Sequence, residues 1–142
     1  MMLIRKCSRL VATCIVATAA CVSTVVSAEG LDGSNDIVCA VMRVVACLEN
    51  GECLEGQAKT FDIPVLYIMD ADKHVLRGTY ESGLKAVSPI KNKELNGEQL
   101  VLQGVENGRG WSVVVNTVTG AMSGSGVGDD VSFLVDGACA AP

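Results

Sequence analysis

The sequence predicts an all-β domain, a small antiparallel barrel or sandwich of about eight or nine short strands tied by two disulfides. Three observations predict it. Short apolar runs rich in Val, Ile and Leu are separated by turn signals such as Asn50-Gly51, Asn96-Gly97 and Asn107-Gly108. All 15 glycines lie beyond residue 28, mostly at those breaks. Four of the 7 cysteines remain once a secretory signal is subtracted, an even number suited to a bridged exported domain.

The segment IVCAVMRVVACL over 37–48 is the one stretch that also fits a helix, with Asn35 or Asp36 as cap and Ile37, Val41, Val44, Val45 and Leu48 on one face. Its density of β-branched residues favours a strand. As a regular strand it would turn Cys39 and Cys47 to the same face, since side chains alternate along the backbone. A loop of Glu49-Asn50-Gly51, with Gly51 supplying a positive φ, then pairs Cys47 with Cys53 across a hairpin, at a spacing that a disulfide tolerates.

Further strands are expected over 63–69 and 75–79, joined by the turn Asp70-Ala71-Asp72-Lys73, and over 88–95 and 99–105 around Asn96-Gly97. Three more follow over 111–116, 121–125 and 131–135, separated by turns at 117–120 and 126–130. Cys139 is placed just beyond the last of them. A Cys39–Cys139 bridge would tie the first and last strands and spare the sheet its exposed edges. The core must be mainly aliphatic, since Phe61, Tyr67, Tyr80, Trp111 and Phe133 are the only aromatic residues.

The N-terminus reads as an export signal over 1–28: Arg5, Lys6 and Arg9, an apolar run from Leu10 to Val26, and small residues up to Ala28. Residues 29–36 read as a flexible leader and 37–142 as a single domain, with a periplasmic or secreted location. Ala19-Ala20-Cys21 permits a lipid anchor instead, although Thr18 stands where lipoproteins usually carry Leu. No membrane span is expected in the mature form. Without the three basic residues of the signal, 8 basic residues face 16 acidic ones. A chain this acidic, with no basic run, lacks the clustered Lys and Arg that phosphate backbones require, so nucleic acid is not an expected partner.

The cysteines Cys39, Cys47, Cys53 and Cys139 allow three connectivities and have neither Cys-x-x-Cys spacing nor histidine support for zinc or redox chemistry. Asp70, Asp72 and His74 alternate as metal ligands on a strand would, but Asp-Ala-Asp-Lys is turn chemistry, so neither a metal nor a cofactor is expected. Ser82 and Ser88 follow His74 without a nucleophile elbow, and Gly124-Ser125-Gly126 reads as a Gly-rich strand end. Asp129 and Asp130 point to opposite faces if extended, and Glu49, Glu52 and Glu55 read as a solvated face. No catalytic residue is assigned. Trp111 is the one candidate ligand-binding residue, weighed against a core role with its indole N–H on a carbonyl.

The stretches CAVMRVVACLENGEC, LVLQGVENGRGWSVVVNTVTGAMSGSG and VSFLVDGAC together resemble a group of small exported bacterial proteins of uncharacterised function. They share an early cysteine cluster, a Gly-Trp-Ser strand with a Thr-Gly turn, and a terminal Gly-Ala-Cys; they commonly carry an apolar residue where Asp136 stands. The resemblance implies export and a bridged β fold and transfers no activity.

The leading functional expectation is a non-catalytic binding or interaction module of the periplasm, holding a small apolar ligand or docking on another exported protein. The alternatives are a small extracytoplasmic hydrolase using His74 with a carboxylate, or a purely structural envelope protein.

Overall fold

A computed structural model describes residues 30–142. The export signal, its cleavage point and Cys21 lie outside the described residues. Nine strands form one antiparallel sheet: β1 (Ile37–Leu48), β2 (Cys53–Gly56), β3 (Leu66–Asp70), β4 (Val75–Thr79), β5 (Lys85–Asn96), β6 (Gln99–Glu106), β7 (Arg109–Asn116), β8 (Ala121–Val127) and β9 (Val131–Ala140). A single 3-10 turn, Ala58–Phe61, lies between β2 and β3. From β3 to β9 each strand pairs with the next, and β9 returns to pair with β1. The result is a closed eight-stranded barrel, with β2 as an extra strand outside the ring.

Closure rests on β1, whose two edges are both used. One edge pairs with β9 from Val38–Ala140 to Leu48–Val131. The other pairs with β3 over Ile37–Ala40 and with β2 over Val44–Cys47. The wall beside the upper half of β1 is therefore built by β2 and the 3-10 turn. The Val41 N–H, which donates to the Val65 carbonyl at 2.8 Å, marks where the β3 ladder gives way.

The strand assignment for 37–48 holds, but its phase changes part-way. The register with β9 slips between Val41 and Arg43, leaving Met42 as the extra residue of a bulge, 70% exposed. Ile37, Cys39 and Val41 face inward before it; Val44 and Ala46 face inward after it. Cys39 and Cys47 therefore do not share a face, contrary to what regular alternation predicts. Cys39 and Cys139 are buried and bonded to each other inside the barrel. Cys47 and Cys53 are bonded across the β1–β2 hairpin on the outside. A bulge of this kind bends a strand as well as rephasing it, which suits a long strand that must wrap around a small barrel. A second register slip between Ile90 and Asn92 does the same in the equally long β5.

The hairpin forms as its sequence predicts: Gly51 has φ 84° and Cys47 lies opposite Cys53. The final strand is longer than the apolar run 131–135 predicts and contains Cys139 within it. Asp136 is accommodated there because it faces outward, where it accepts hydrogen bonds from Arg43 Nε at 3.1 Å and Ser123 Oγ at 3.1 Å. The expected flexible leader is in part packed: Leu31 is 1% exposed and belongs to the core, and Lys93 Nζ donates to the Gly33 carbonyl at 2.8 Å. Leu31 closes the end of the barrel where the β3–β4, β5–β6 and β7–β8 turns gather. The opposite end carries the β4–β5, β6–β7 and β8–β9 turns and the 3-10 turn.

At the closed end Asp70 is buried and accepts hydrogen bonds from the Lys73 amide at 3.0 Å and Lys73 Nζ at 3.2 Å, with Arg77 Nη2 at 3.1 Å. These bonds, the Lys73 amide foremost, hold its carboxyl below the ordinary range. Asp136 is lowered as well, mainly by its hydrogen bond from Arg43.

Two predictions follow from this framework. Chain-entropy arguments give about 5 kcal/mol for the Cys39–Cys139 bridge and about 2 kcal/mol for Cys47–Cys53, because their sequence separations are 100 and 6. Urea titration of the Cys39→Ala/Cys139→Ala and Cys47→Ala/Cys53→Ala proteins should rank them in that order, and an equal or reversed loss would contradict it. Depressed carboxyls contribute stability that is complete above their unfolded pKa, about 4, and is lost as pH falls through the lower folded value. The melting temperature should therefore drop in acid, and Asp70→Asn should make that drop shallower; an unchanged acid profile in this variant would refute the role given to Asp70.

Candidate functional site

The barrel is hollow. A cavity of about 210 Å³ runs inside it, with apolar walls from Ile37, Val41, Leu76, Leu102, Val113 and Val135. Its floor rests on Ile37, Met69, Val115 and Met122, with Leu31 and Leu100 in the same buried cluster. Its mouth opens at the end that carries the 3-10 turn, where Asp62, Tyr80, Glu106, Asn107 and Arg109 join the lining.

The hollow follows from small residues at inward positions. Ala86 and Ser88 on β5 and Gly126 on β8 line it with little or no side chain, while Gly104 on β6 and Gly124 on β8 give room to the Trp111 ring and to Val113 and Val135. Large rings stand beside them. Every aromatic residue of the chain lines this one cavity: Phe61, Tyr67, Tyr80, Trp111 and Phe133. Strand alternation directs three of them inward, with Tyr67 in phase with Met69, Trp111 with Val113 and Val115, and Phe133 with Val135. Phe61 arrives from the 3-10 turn and meets Phe133 edge to face, ring centroids 6.5 Å apart. A β-strand enriched in aliphatics gives no sign that its few rings share one interior. That convergence becomes visible only once the ring of strands is closed.

Trp111 is held by two neighbours. Its indole N–H donates to Ser88 Oγ at 2.6 Å, so its partner is a side-chain hydroxyl rather than the carbonyl expected from the sequence. Its ring crosses the face of Gly104, where an added Cβ would collide with the indole and with the Pro89 carbonyl oxygen. Trp111 is half-buried, so part of the ring faces the hollow.

The mouth is polar and unevenly charged. The Arg109 guanidinium lies 5.8 Å from the Phe133 ring centroid and 3.5 Å from Asp130 Oδ1. Glu106 and Asp62 have no side-chain hydrogen bond and no ion pair among the described residues. Burial, followed by the charges of Tyr80 and Glu106, pushes the Tyr67 phenol well above its usual range. Tyr80 is raised by burial, then by Glu106 and Asp62, with Arg109 opposing. Both phenols are neutral at ordinary pH.

Of the other sequence candidates, Ser88 and Ser125 line the cavity, whereas His74, Asp72 and Glu55 lie away from it. His74 is exposed in the turn between β3 and β4 at the closed end, with φ 54°, and its carbonyl accepts the Ile90 N–H at 2.9 Å. The structure does not bring it together with Ser88, which faces the interior, or with Glu106 at the mouth. Asp72 is exposed on the same turn, and among the described residues no group of three His, Cys, Asp or Glu gathers as a metal site. Ser125 does line the cavity, on β8. Glu55 lies 3.7 Å from Arg43 on the outer wall. Among the described residues no helix is long and apolar enough to cross a membrane. No protein-family model matches the chain, and no curated protein matches its sequence.

The close packing around Trp111 generates a prediction. Gly104→Ala should force the indole or the β5 backbone to move and cost about 2 kcal/mol, as overpacked sites do, with a shift in tryptophan emission. Wild-type stability and emission in this variant would show that the indole does not rest on residue 104.

Proposed function

We propose that the chain is an exported binding protein that carries a small apolar ligand inside its barrel. One observation carries the reading: an apolar interior of about 210 Å³ is left open and lined by all five aromatic residues. A barrel of about eight strands is just large enough to be filled by its own side chains or to hold one small ligand. Here small inward residues on β5 and β8, Ala86, Ser88 and Gly126, keep it from being filled. Engineered apolar cavities of about 150 Å³ remain dry and bind benzene, so a hollow of this size and lining suits a ligand of about ten non-hydrogen atoms.

Export is supported by the basic-then-apolar signal pattern over 1–28 and by two disulfides, which persist in oxidising compartments. The resemblance to small exported proteins points the same way.

Trp111 is the only tryptophan and borders the hollow, so it reports on occupancy. Titration with a neutral aromatic probe of matching size should shift its emission and saturate at one site per chain. Val135→Phe, which places a ring in the hollow, should weaken that binding at least tenfold while the oxidised barrel still melts cooperatively. Unchanged affinity in Val135→Phe would place the probe elsewhere and sink the proposal.

A further inference from the structure

We infer that the ligand is an organic cation, a small amine or quaternary ammonium with a hydrophobic body, its charge held at the mouth by Glu106 and Asp62 and against the surrounding rings. The inference rests on the reading of the barrel as a ligand carrier and adds the chemical class of what it carries.

Three features point to a cation. The lining concentrates aromatic rings, whose faces attract cations through their quadrupoles and cage quaternary ammonium groups in other contexts. All five rings border the same hollow, although nothing in an aliphatic barrel core requires it. The protein's own chemistry already shows the affinity: the Arg109 guanidinium lies over Phe133 at 5.8 Å.

The charges around the hollow are out of balance in the direction a cation needs. Its lining has three charged side chains, Asp62, Glu106 and Arg109. Among the described residues the one cation of this lining, Arg109, is committed, to Asp130 at 3.5 Å and to the Phe133 face. The two carboxylates have no side-chain hydrogen bond or ion pair among the described residues. Lys59 and Glu81 share an outer groove with Asp62 and offset each other in sign, so they do not correct the imbalance. A cleft of one sign with low-dielectric walls focuses its field and raises the local concentration of the opposite charge. The surplus of acid over base in residues 29–142 adds to the same field at longer range. The phenols of Tyr67 and Tyr80 feel it too: Glu106 raises both. An anionic headgroup would meet those carboxylates and find Arg109 already paired.

The test uses three probes of similar size and one aromatic body: benzyltrimethylammonium, its neutral isostere neopentylbenzene, and 3-phenylpropanoate. Each is titrated into the oxidised protein, with Trp111 emission and calorimetry as readouts. The expected result is at least tenfold tighter binding of the ammonium than of the isostere, no detectable binding of the carboxylate, and a preference that shrinks as salt is added. In Glu106→Gln, and further in Glu106→Gln/Asp62→Asn, the ratio of the two affinities should fall toward one. Because the ratio is taken within each variant, a general loss of folding cannot imitate it. Equal or tighter binding of the neutral isostere by the wild-type protein would overturn the cation inference and leave the carrier reading standing. Failure of all three probes to bind would overturn both.

Discussion

The fold depends on the pairing of β1 with β9. Those strands are the first and last of the ring, so their ten paired residues convert an open meander into a closed wall. A closed ring has no terminal strand to template aggregation, although β2 outside it keeps one unpaired edge, and its opposing walls stand apart at a distance set by strand number. The Cys39–Cys139 bond fastens the seam from inside, near the closed end. Leu31 packs at that same end, so the floor of the cavity and the seam are assembled from neighbouring residues.

Closure alone leaves the interior undecided between packed and hollow. The choice is made by side-chain volume at inward positions. Leu, Met and Val fill the closed end, whereas Ala86, Ser88 and Gly126 leave space in the middle, and Gly104 and Gly124 make room for Trp111 and for Val113 and Val135. Two of the aromatic rings that line that space are held by specific partners: Trp111 by Ser88 and Gly104, Phe133 by Phe61 and Arg109. The mouth is polar because it is made of turn and strand-end residues, which must also satisfy water. Its acidity is a separate choice, made by Asp62 and Glu106 rather than by the fold.

Much of the architecture was legible in the residues. Asn-Gly turns, glycine breaks and β-branched runs located the strands, the even cysteine count gave two bridges with their connectivity open, and the hairpin reading paired Cys47 with Cys53. The phase of β1 was not legible, because a bulge at Met42 inserts one residue into an otherwise regular alternation and moves Cys47 to the other face. Its cause lies in the curvature of the barrel, a property of the closed sheet rather than of the local sequence. The packing of Leu31 was hidden for a similar reason: a single apolar residue in a polar leader has no periodicity to announce it. Trp111 was visible as a candidate, but its companions Phe61, Tyr67, Tyr80 and Phe133 are spread across the chain and meet only through the topology. Glu106 and Arg109 flank the Asn107-Gly108 turn, where sequence reasoning saw only a hairpin.

Amide hydrogen exchange on the oxidised protein tests the closed seam most directly, since an open meander and a closed barrel differ in which amides of β1 and β9 are bonded. A closed barrel should show protection along Val38–Leu48 and Val131–Ala140 comparable to that of β6 and β7 in the middle of the sheet. Rapid exchange along the facing edges of β1 and β9, with β6 and β7 still protected, would mean that the sheet is open and that its hollow interior does not exist.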